Sequence, residues 1–428
     1  MNGLFQPGVR KLEVWAWAMY DFANSGYTTV VITAVFSAWF VAGVAHNASW
    51  ATLLWTSVLS VSYLLVVVTA PVIGAWADRH AAKKRLLWLT TLGCVAATAA
   101  LVFVRPGDIW LAAVLVLLSN FFFASGENLI AAFLPELARP RALGRVSGWG
   151  WSLGYVGGLL SLGASLGYID WAQARGRPAD EFVPVSMLIT AGIFLLASLP
   201  ALLLLRERAR PDPRAASRNA WQQVRHTLTH LARLPDLARF LACTVLYQAG
   251  IQAVITLAAI YANQALGFDT RQTILLVLVV NVTAALGALV FGHVQDRIGH
   301  IRALAATLVI WIVMVALAWA ARGPALFWVA ANLAGLAMGA SQSAGRALVG
   351  LLAPPRHQAE FFGLWGLAVK LASILGPLTY GAVSWLTAND HRQALLITGL
   401  YFVAGLALLA GIDPRRGYRA ALRFTAAG

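Results

Sequence analysis

Long apolar runs succeed one another from end to end of the chain, separated by short polar segments. They lie near residues 15–44, 51–77, 86–104, 109–134, 146–169, 183–205, 237–265, 272–295, 303–321, 325–352, 361–387 and 393–411. Each is long enough to cross a hydrocarbon core of roughly 30 Å as a helix. Strands of a membrane barrel would be short and would alternate apolar with polar residues, and these runs do not. Helices also satisfy their own backbone groups inside lipid. The pattern predicts an all-α polytopic membrane protein with twelve transmembrane helices.

The longest polar stretch, 206–236, divides the runs into six and six. Its second half, Trp221 to Leu234, spaces apolar residues among basic ones as an interfacial helix would. A repeat marks the same division. "GAWADRHAAKKR" (Gly74 to Arg85) follows the second run, and "GHVQDRIGHIR" (Gly292 to Arg302) follows the eighth. Both hold G-x-x-x-D-R. A weaker echo pairs "VSGWGWSLGYVGG" in run five with "FFGLWGLAVKLASILGP" in run eleven. Two pseudo-symmetric six-helix halves, 1–205 and 237–428, joined by 206–236, are the expected domains, with a site between them.

The 428 residues are 60% hydrophobic and 11% charged, with a net charge of +15. That charge does not point to nucleic acid. With the N-terminus in the cytoplasm, 24 Lys and Arg fall in cytoplasmic segments and only six outside: Arg105, Arg175, Arg177, Arg271, Arg322 and Arg392. The imbalance predicts both termini inside. The N-terminal segment carries no obvious cleavage site and reads as a retained first span. Cys94 and Cys243 stand alone in apolar runs and read as core residues. His226 and His230 lack the glutamate of a zinc-protease motif, so no metal is expected.

G-x-x-x-D-R after the second and eighth runs resembles the best-known motif of the major facilitator superfamily. There the motif aspartate holds neighbouring helix ends together when the cytoplasmic side is closed. The matching residues are Gly74, Asp78 and Arg79, and Gly292, Asp296 and Arg297. The second copy keeps Gly299, whereas Ala81 stands where glycine is usual in the first. Four further stretches, "WAWAMYDFANSGYTTVV", "FLPELA", "GRVSGWGWSLGYVGG" and "GASQSAGRALVGLLAPPRHQAEFFGLWGL", are similar to the vacuole-effluxer branch, the autophagy-related permeases with many bacterial members. The resemblance implies a major facilitator fold, with helices one, four, seven and ten around a central cavity and four, five, ten and eleven closing it. It also implies a link to amino-acid release.

Four ionisable side chains interrupt the apolar runs: Asp21, Glu127, Arg346 and Lys370. Each is costly in hydrocarbon and is expected to face protein or water. Counting 1.5 Å per residue puts Asp21 about 9 Å and Lys370 about 14 Å from the cytoplasmic helix ends. The four could meet near an inner gate, with Glu127 and Lys370 either pairing to lock it or binding solute. Asn24, Ser25, Asn120, Asn128, Gln248, Gln252, Asn281 and Gln342 should point inward, as cavity lining or as helix glue. Gly148, Gly150, Gly154, Gly157 and Gly158 suit close helix packing rather than nucleotide binding. Trp151 and Tyr155, four apart, either stack on a solute or face lipid.

The expected function is secondary active transport of a small polar, zwitterionic solute, an amino acid or small peptide, by alternating access and with proton coupling. The stretch "YDFANSGY" makes Asp21 the first choice for the coupling carboxylate, provided that neither Arg346 nor Lys370 lies within about 6 Å; Glu127 is the second. The alternatives are a transport-dead sensor and a membrane enzyme, the latter disfavoured by the lack of a nucleophile elbow or H-E-x-x-H. No Walker motif is present, and no cofactor is expected. The expected setting is a monomer in a bacterial inner membrane, with solute, bilayer and protons as its partners.

Overall fold

The computed structural model describes residues 3–209, 231–266, 268, 270–387 and 390–427. Among them are twelve helices long and apolar enough to cross a membrane. Spans 1 to 6 are Lys11–Val44, Ala51–His80, Lys83–Phe103, Ile109–Leu137, Leu143–Gln173 and Ala179–Leu204. Spans 7 to 12 are Pro235–Leu266, Thr270–Ile298, His300–Ala320, Pro324–Leu352, Gln358–Leu386 and His391–Ala410. Large apolar side chains such as Leu53, Trp110, Leu196, Leu378 and Trp385 stand exposed on the outside of the bundle. In water such a surface would aggregate; against acyl chains it costs nothing.

The two halves pack by one scheme. Span 1 lies against spans 5 and 6, span 4 against 2 and 3, and span 3 against 6. The second half repeats this six positions later: 7 against 11 and 12, 10 against 8 and 9, and 9 against 12. The seam between halves is equally symmetric, formed by spans 2 and 11, 5 and 8, 4 and 11, and 5 and 10.

Span 1 begins at Lys11, one turn earlier than its hydropathy suggests, and is not a uniform α-helix. Two stretches, Thr28–Ala34 and Phe40–Val44, are wound as π-helix. The first coincides with six consecutive β-branched residues, Thr28 to Thr33, whose side chains crowd the preceding turn of a regular helix. Thr33 donates its hydroxyl five residues back to the Thr28 carbonyl at 3.0 Å.

Both termini sit on one face, here the terminal face. The expected interfacial helix over Trp221 to Leu234, with His226 and His230, falls almost wholly outside the described residues; Leu231–Arg233 is a short 3-10 turn. A different amphipathic helix, Pro414–Ala427, lies across the terminal face. Its Arg416 grips buried Asp236 with two bonds of 2.7 and 2.6 Å, and its Phe424 packs on His357 and Phe361. In the first half, the residues just after span 6 are pinned in place. Glu207 accepts from the Lys83 and Lys84 amides at 2.8 and 3.1 Å, capping span 3. Arg208 bonds Glu13 at 2.9 Å, and its amide donates to Glu136, which also holds buried Lys83.

The two G-x-x-x-D-R copies turn differently. Gly299 has φ 92° and ψ 147° in the second copy, whereas Ala81 takes the left-handed conformation (φ 47°, ψ 52°) in the first. An alanine there carries about 1–2 kcal/mol of strain that glycine escapes. Ala81→Gly is therefore expected to raise the thermal unfolding midpoint slightly. A lowered midpoint in a detergent thermal-shift assay would show that the Ala81 methyl contributes packing that outweighs the strain.

Candidate functional site

The two motif aspartates are interlocks between halves. Asp78, at the end of span 2, accepts from the Ala359 and Glu360 amides at 3.1 and 2.9 Å. Asp296, at the end of span 8, accepts from the Gly144 and Arg145 amides at 3.0 and 3.2 Å. Each carboxylate thus caps the first turn of a helix of the other half, span 11 or span 5, where free N–H groups and the helix dipole favour an anion. The motif glycines allow the approach. A Cβ on Gly74 would run into the Ala359 carbonyl, and one on Gly292 would sit 3.0 Å from Gly148 Cα. Arg145 adds an ion pair to Asp296 at 3.6 Å. Arg297 is exposed and Arg79 half-buried at the ends of their spans.

Deeper in the seam lies Arg346 of span 10, only 3% exposed. Its Nη1 donates to Asp21 Oδ2 of span 1 at 2.7 Å, its Nε to the Ser147 hydroxyl at 3.1 Å, and its Nη2 to the Ser147 carbonyl at 2.9 Å. Trp17 and Trp151 place their rings 4.6 and 5.3 Å from the guanidinium carbon. All of these partners belong to the first half, so one side chain of the second half is held by two spans of the first. Gly150 makes room for it, since a Cβ there would strike the Asp21 carboxylate and Arg346. Ser147 also donates to the Ser343 carbonyl at 2.9 Å, and Ser343 donates to the Gly144 carbonyl at 3.3 Å. Trp151 and Tyr155 face this seam, their rings 6.0 Å apart. Trp151 Nε1 is buried without a hydrogen-bond partner.

A second pair crosses the seam. Lys370 of span 11 reaches Glu127 of span 4 at 3.7 Å, with its Nζ 5.0 Å from the centre of the Tyr63 ring. Glu127 is 33% exposed, against 10% for the Asp21 side chain. Asp21 lies ten residues into its helix and Lys370 twelve into its own, about 15 and 18 Å. Both are deeper than their hydropathy boundaries suggest, by about one turn, because the helices start earlier.

The amides fall into distinct groups. Gln248 and Gln342 bond reciprocally at 2.9 and 3.4 Å between spans 7 and 10. Asn120 donates to Ser62 at 3.0 Å between spans 4 and 2, and is helix glue. Asn281 is spent on its own helix, donating to the Val277 carbonyl at 2.8 Å. Asn24 Oδ1 and Asn128 Nδ2 are buried without partners. Gln252 is half-buried on span 7, and Ser25 packs where Gly154 and Gly158 bring span 5 close. Sequence reasoning overlooked Ser147 and Trp17. Both carried a signal: Trp17 precedes Asp21 by four residues, and Ser147 precedes Trp151 by four, so each pair shares a helix face.

The chain matches the model of the family described as "Vacuole effluxer Atg22 like" over residues 40–422. It is 28% identical to the uncharacterized MFS-type transporter YxiO of Bacillus subtilis, over 92% of this chain and 93% of that protein. Autophagy-related protein 22-1 of Penicillium rubens is 24% identical over 65% of this chain, which spans only half of that longer protein. In structure the chain resembles the human organic anion transporter MFSD10 (TETRAN), with a TM-score of 0.72 and 18% identity over 94% of this chain and 100% of that one. Twelve spans in two symmetric halves, interlocked by paired G-x-x-x-D-R motifs, are the frame of a secondary transporter and not of an enzyme. The chain belongs to the Atg22-like vacuole effluxer family of major facilitator transporters.

Proposed function

We propose that the chain carries a small zwitterionic solute, an amino acid or short peptide, across a bacterial plasma membrane by alternating access. The terminal face is then cytoplasmic, and residues 206–236 link halves 1–205 and 237–428. One observation carries this reading: the charges deep in the seam, beyond the Arg145–Asp296 pair at its edge, are segregated. Both acids, Asp21 and Glu127, belong to the first half, and both bases, Arg346 and Lys370, to the second. When the halves part at the terminal face, an anionic wall faces a cationic one. A solute bearing an ammonium and a carboxylate can satisfy both walls, replacing the pairs that opening breaks. The low-dielectric surroundings make such replacement worth far more than in water.

Proton coupling falls to Glu127 rather than Asp21. Both acids have a base within about 6 Å, but Arg346 is hydrogen-bonded to Asp21 at 2.7 Å, whereas Lys370 stands 3.7 Å from Glu127. Glu127 is the more exposed carboxylate and is held more loosely. In proteoliposomes with an imposed pH difference, Glu127→Gln is expected to abolish accumulation against a gradient while solute exchange persists. Uphill accumulation by Glu127→Gln would move the proton elsewhere. The solute class is tested by thermal shift of the purified chain against amino acids, dipeptides, nucleosides and organic acids. Stabilisation by zwitterions that disappears in Lys370→Met is expected; stabilisation by organic acids alone would contradict the reading.

A further inference from the structure

The six basic residues assigned by sequence to the side away from the termini are not spread evenly. Arg175 and Arg177 lie over the Trp171 ring, 4.0 and 5.5 Å from its centre. Arg322 and Arg392 converge elsewhere, on one cleft of about 680 Å³ between the ends of spans 9 and 12. Trp319, Ala320, Asp390, Gln393, Leu396 and Ile397 complete its lining. We propose that this cleft binds an anionic phospholipid of the leaflet opposite the terminal face.

The chemistry changes along the cleft as a lipid changes along its length. Arg322 lies just beyond the end of span 9, and Arg392 stands in the first turn of span 12, so both guanidinium groups sit at headgroup level. Arg392 is held there by a 3.1 Å bond from Nη1 to the Trp319 carbonyl. Leu396 and Ile397 are four and five residues beyond Arg392 in span 12, about 6–8 Å deeper. They are 42% and 40% exposed, and Trp319 is 46% exposed. A soluble anion would use the arginines and leave this apolar wall bare. A phospholipid places its phosphate between the arginines and its acyl chain along Leu396 and Ile397. Asp390 offsets one of the two arginine charges, and its Oδ1 caps span 12, accepting from the Arg392 and Gln393 amides at 3.0 and 3.1 Å. One net positive charge remains, which selects an anionic headgroup over a zwitterionic one. The cleft lies between spans 9 and 12 of one half, which take no part in the seam between halves, so it serves a ligand other than the transported solute.

The test uses the full chain in detergent, with phosphatidylglycerol, phosphatidylcholine or inorganic phosphate added, read by native mass spectrometry and thermal shift. Phosphatidylglycerol should be retained and should raise the midpoint most. The double variant Arg322→Gln with Arg392→Gln should bind it about thirtyfold more weakly, close to the phosphatidylcholine level. Arg322→Lys with Arg392→Lys should keep most of the preference, which separates lost charge from lost folding. Equal retention of the two lipids by the wild type would overturn the proposal. So would undiminished phosphatidylglycerol binding by a folded double glutamine variant, and inorganic phosphate matching the lipid would make this a soluble-anion site instead.

Discussion

Arg346→Gln is expected to unlatch the terminal face and to abolish transport. The substitution removes the ion pair to Asp21, both bonds to Ser147 and the stacking of Trp17 and Trp151 in one step. Asp21 is left in the seam with no cation, a situation that costs about 3–5 kcal/mol for a buried pair broken on one side. The cost falls on the closed state alone, because parting the halves lets water reach Asp21. The open population should therefore rise by a factor on the order of a hundred or more. The readout is alkylation of a cysteine at Ser343, which lies in the seam and is fully buried, with Cys94 and Cys243 replaced by alanine. Labelling from the terminal face should be much faster in the Arg346→Gln background. Arg346→Lys should restore the charge but not the forked contacts, and should fall between the two. Unchanged labelling would mean that the motif aspartates alone keep the face shut.

Glu136→Gln is expected to lower stability more than any change in the seam, and through a different route. Lys83 is 1% exposed and has the Glu136 carboxylate as its charged hydrogen-bond partner, with the Phe133 ring 5.3 Å from its Nζ. Glutamine keeps the shape of Glu136 but removes the one carboxylate bonded to the buried ammonium, leaving Asp78 and Glu207 as its more distant counter-charges. The expected loss is about 3–5 kcal/mol, enough to consume much of the stability of a membrane domain. Glu136 also anchors the Arg208 amide, and Arg208 anchors buried Glu13 at the start of span 1. The lesion should spread to the N-terminal segment, seen as faster proteolysis near Arg10 below the global midpoint. Because these contacts stay within the first half, the seam-accessibility assay should respond little. A double change, Glu136→Gln with Lys83→Met, should recover most of the midpoint; failure to recover would show that Glu136 matters through the Arg208 amide instead.

The spans were legible in the sequence because lipid imposes a composition that hydropathy reads directly. The interlocks were legible because their glycine, aspartate and arginine recur at fixed spacing. The pairing in the seam was less so. Depth along a helix can be counted, but the angle around it depends on packing, so the four intramembrane charges could be brought to one level with only the Glu127–Lys370 pair named among them. Glu127 and Lys370 do approach each other, whereas the bond between Asp21 and Arg346 was foreseen only as a proviso. Span 1 starts at Lys11 with Glu13 in its first turn accepting from the Arg10 amide and held by Arg208, 195 residues away; hydropathy reads neither contact. The π-wound stretch after Tyr27 is a matter of backbone pitch; six β-branched residues in a row were its visible mark. The helix Pro414–Ala427 escaped because hydropathy averages out an amphipathic segment, although Gly417, Ala421 and Phe424 are spaced as one packed face.

Alternating access by this seam requires that the terminal face open when the seam charges are released. His80 and Arg356 are exposed at the end of span 2 and just before span 11, on opposite sides of the seam. Spin labels at His80→Cys and Arg356→Cys, with Cys94 and Cys243 replaced by alanine, report the separation of the halves by double electron–electron resonance. The wild type should show a dominant short distance, and Arg346→Gln should move the population to a distinctly longer one. A single, identical distance in both proteins would contradict the account.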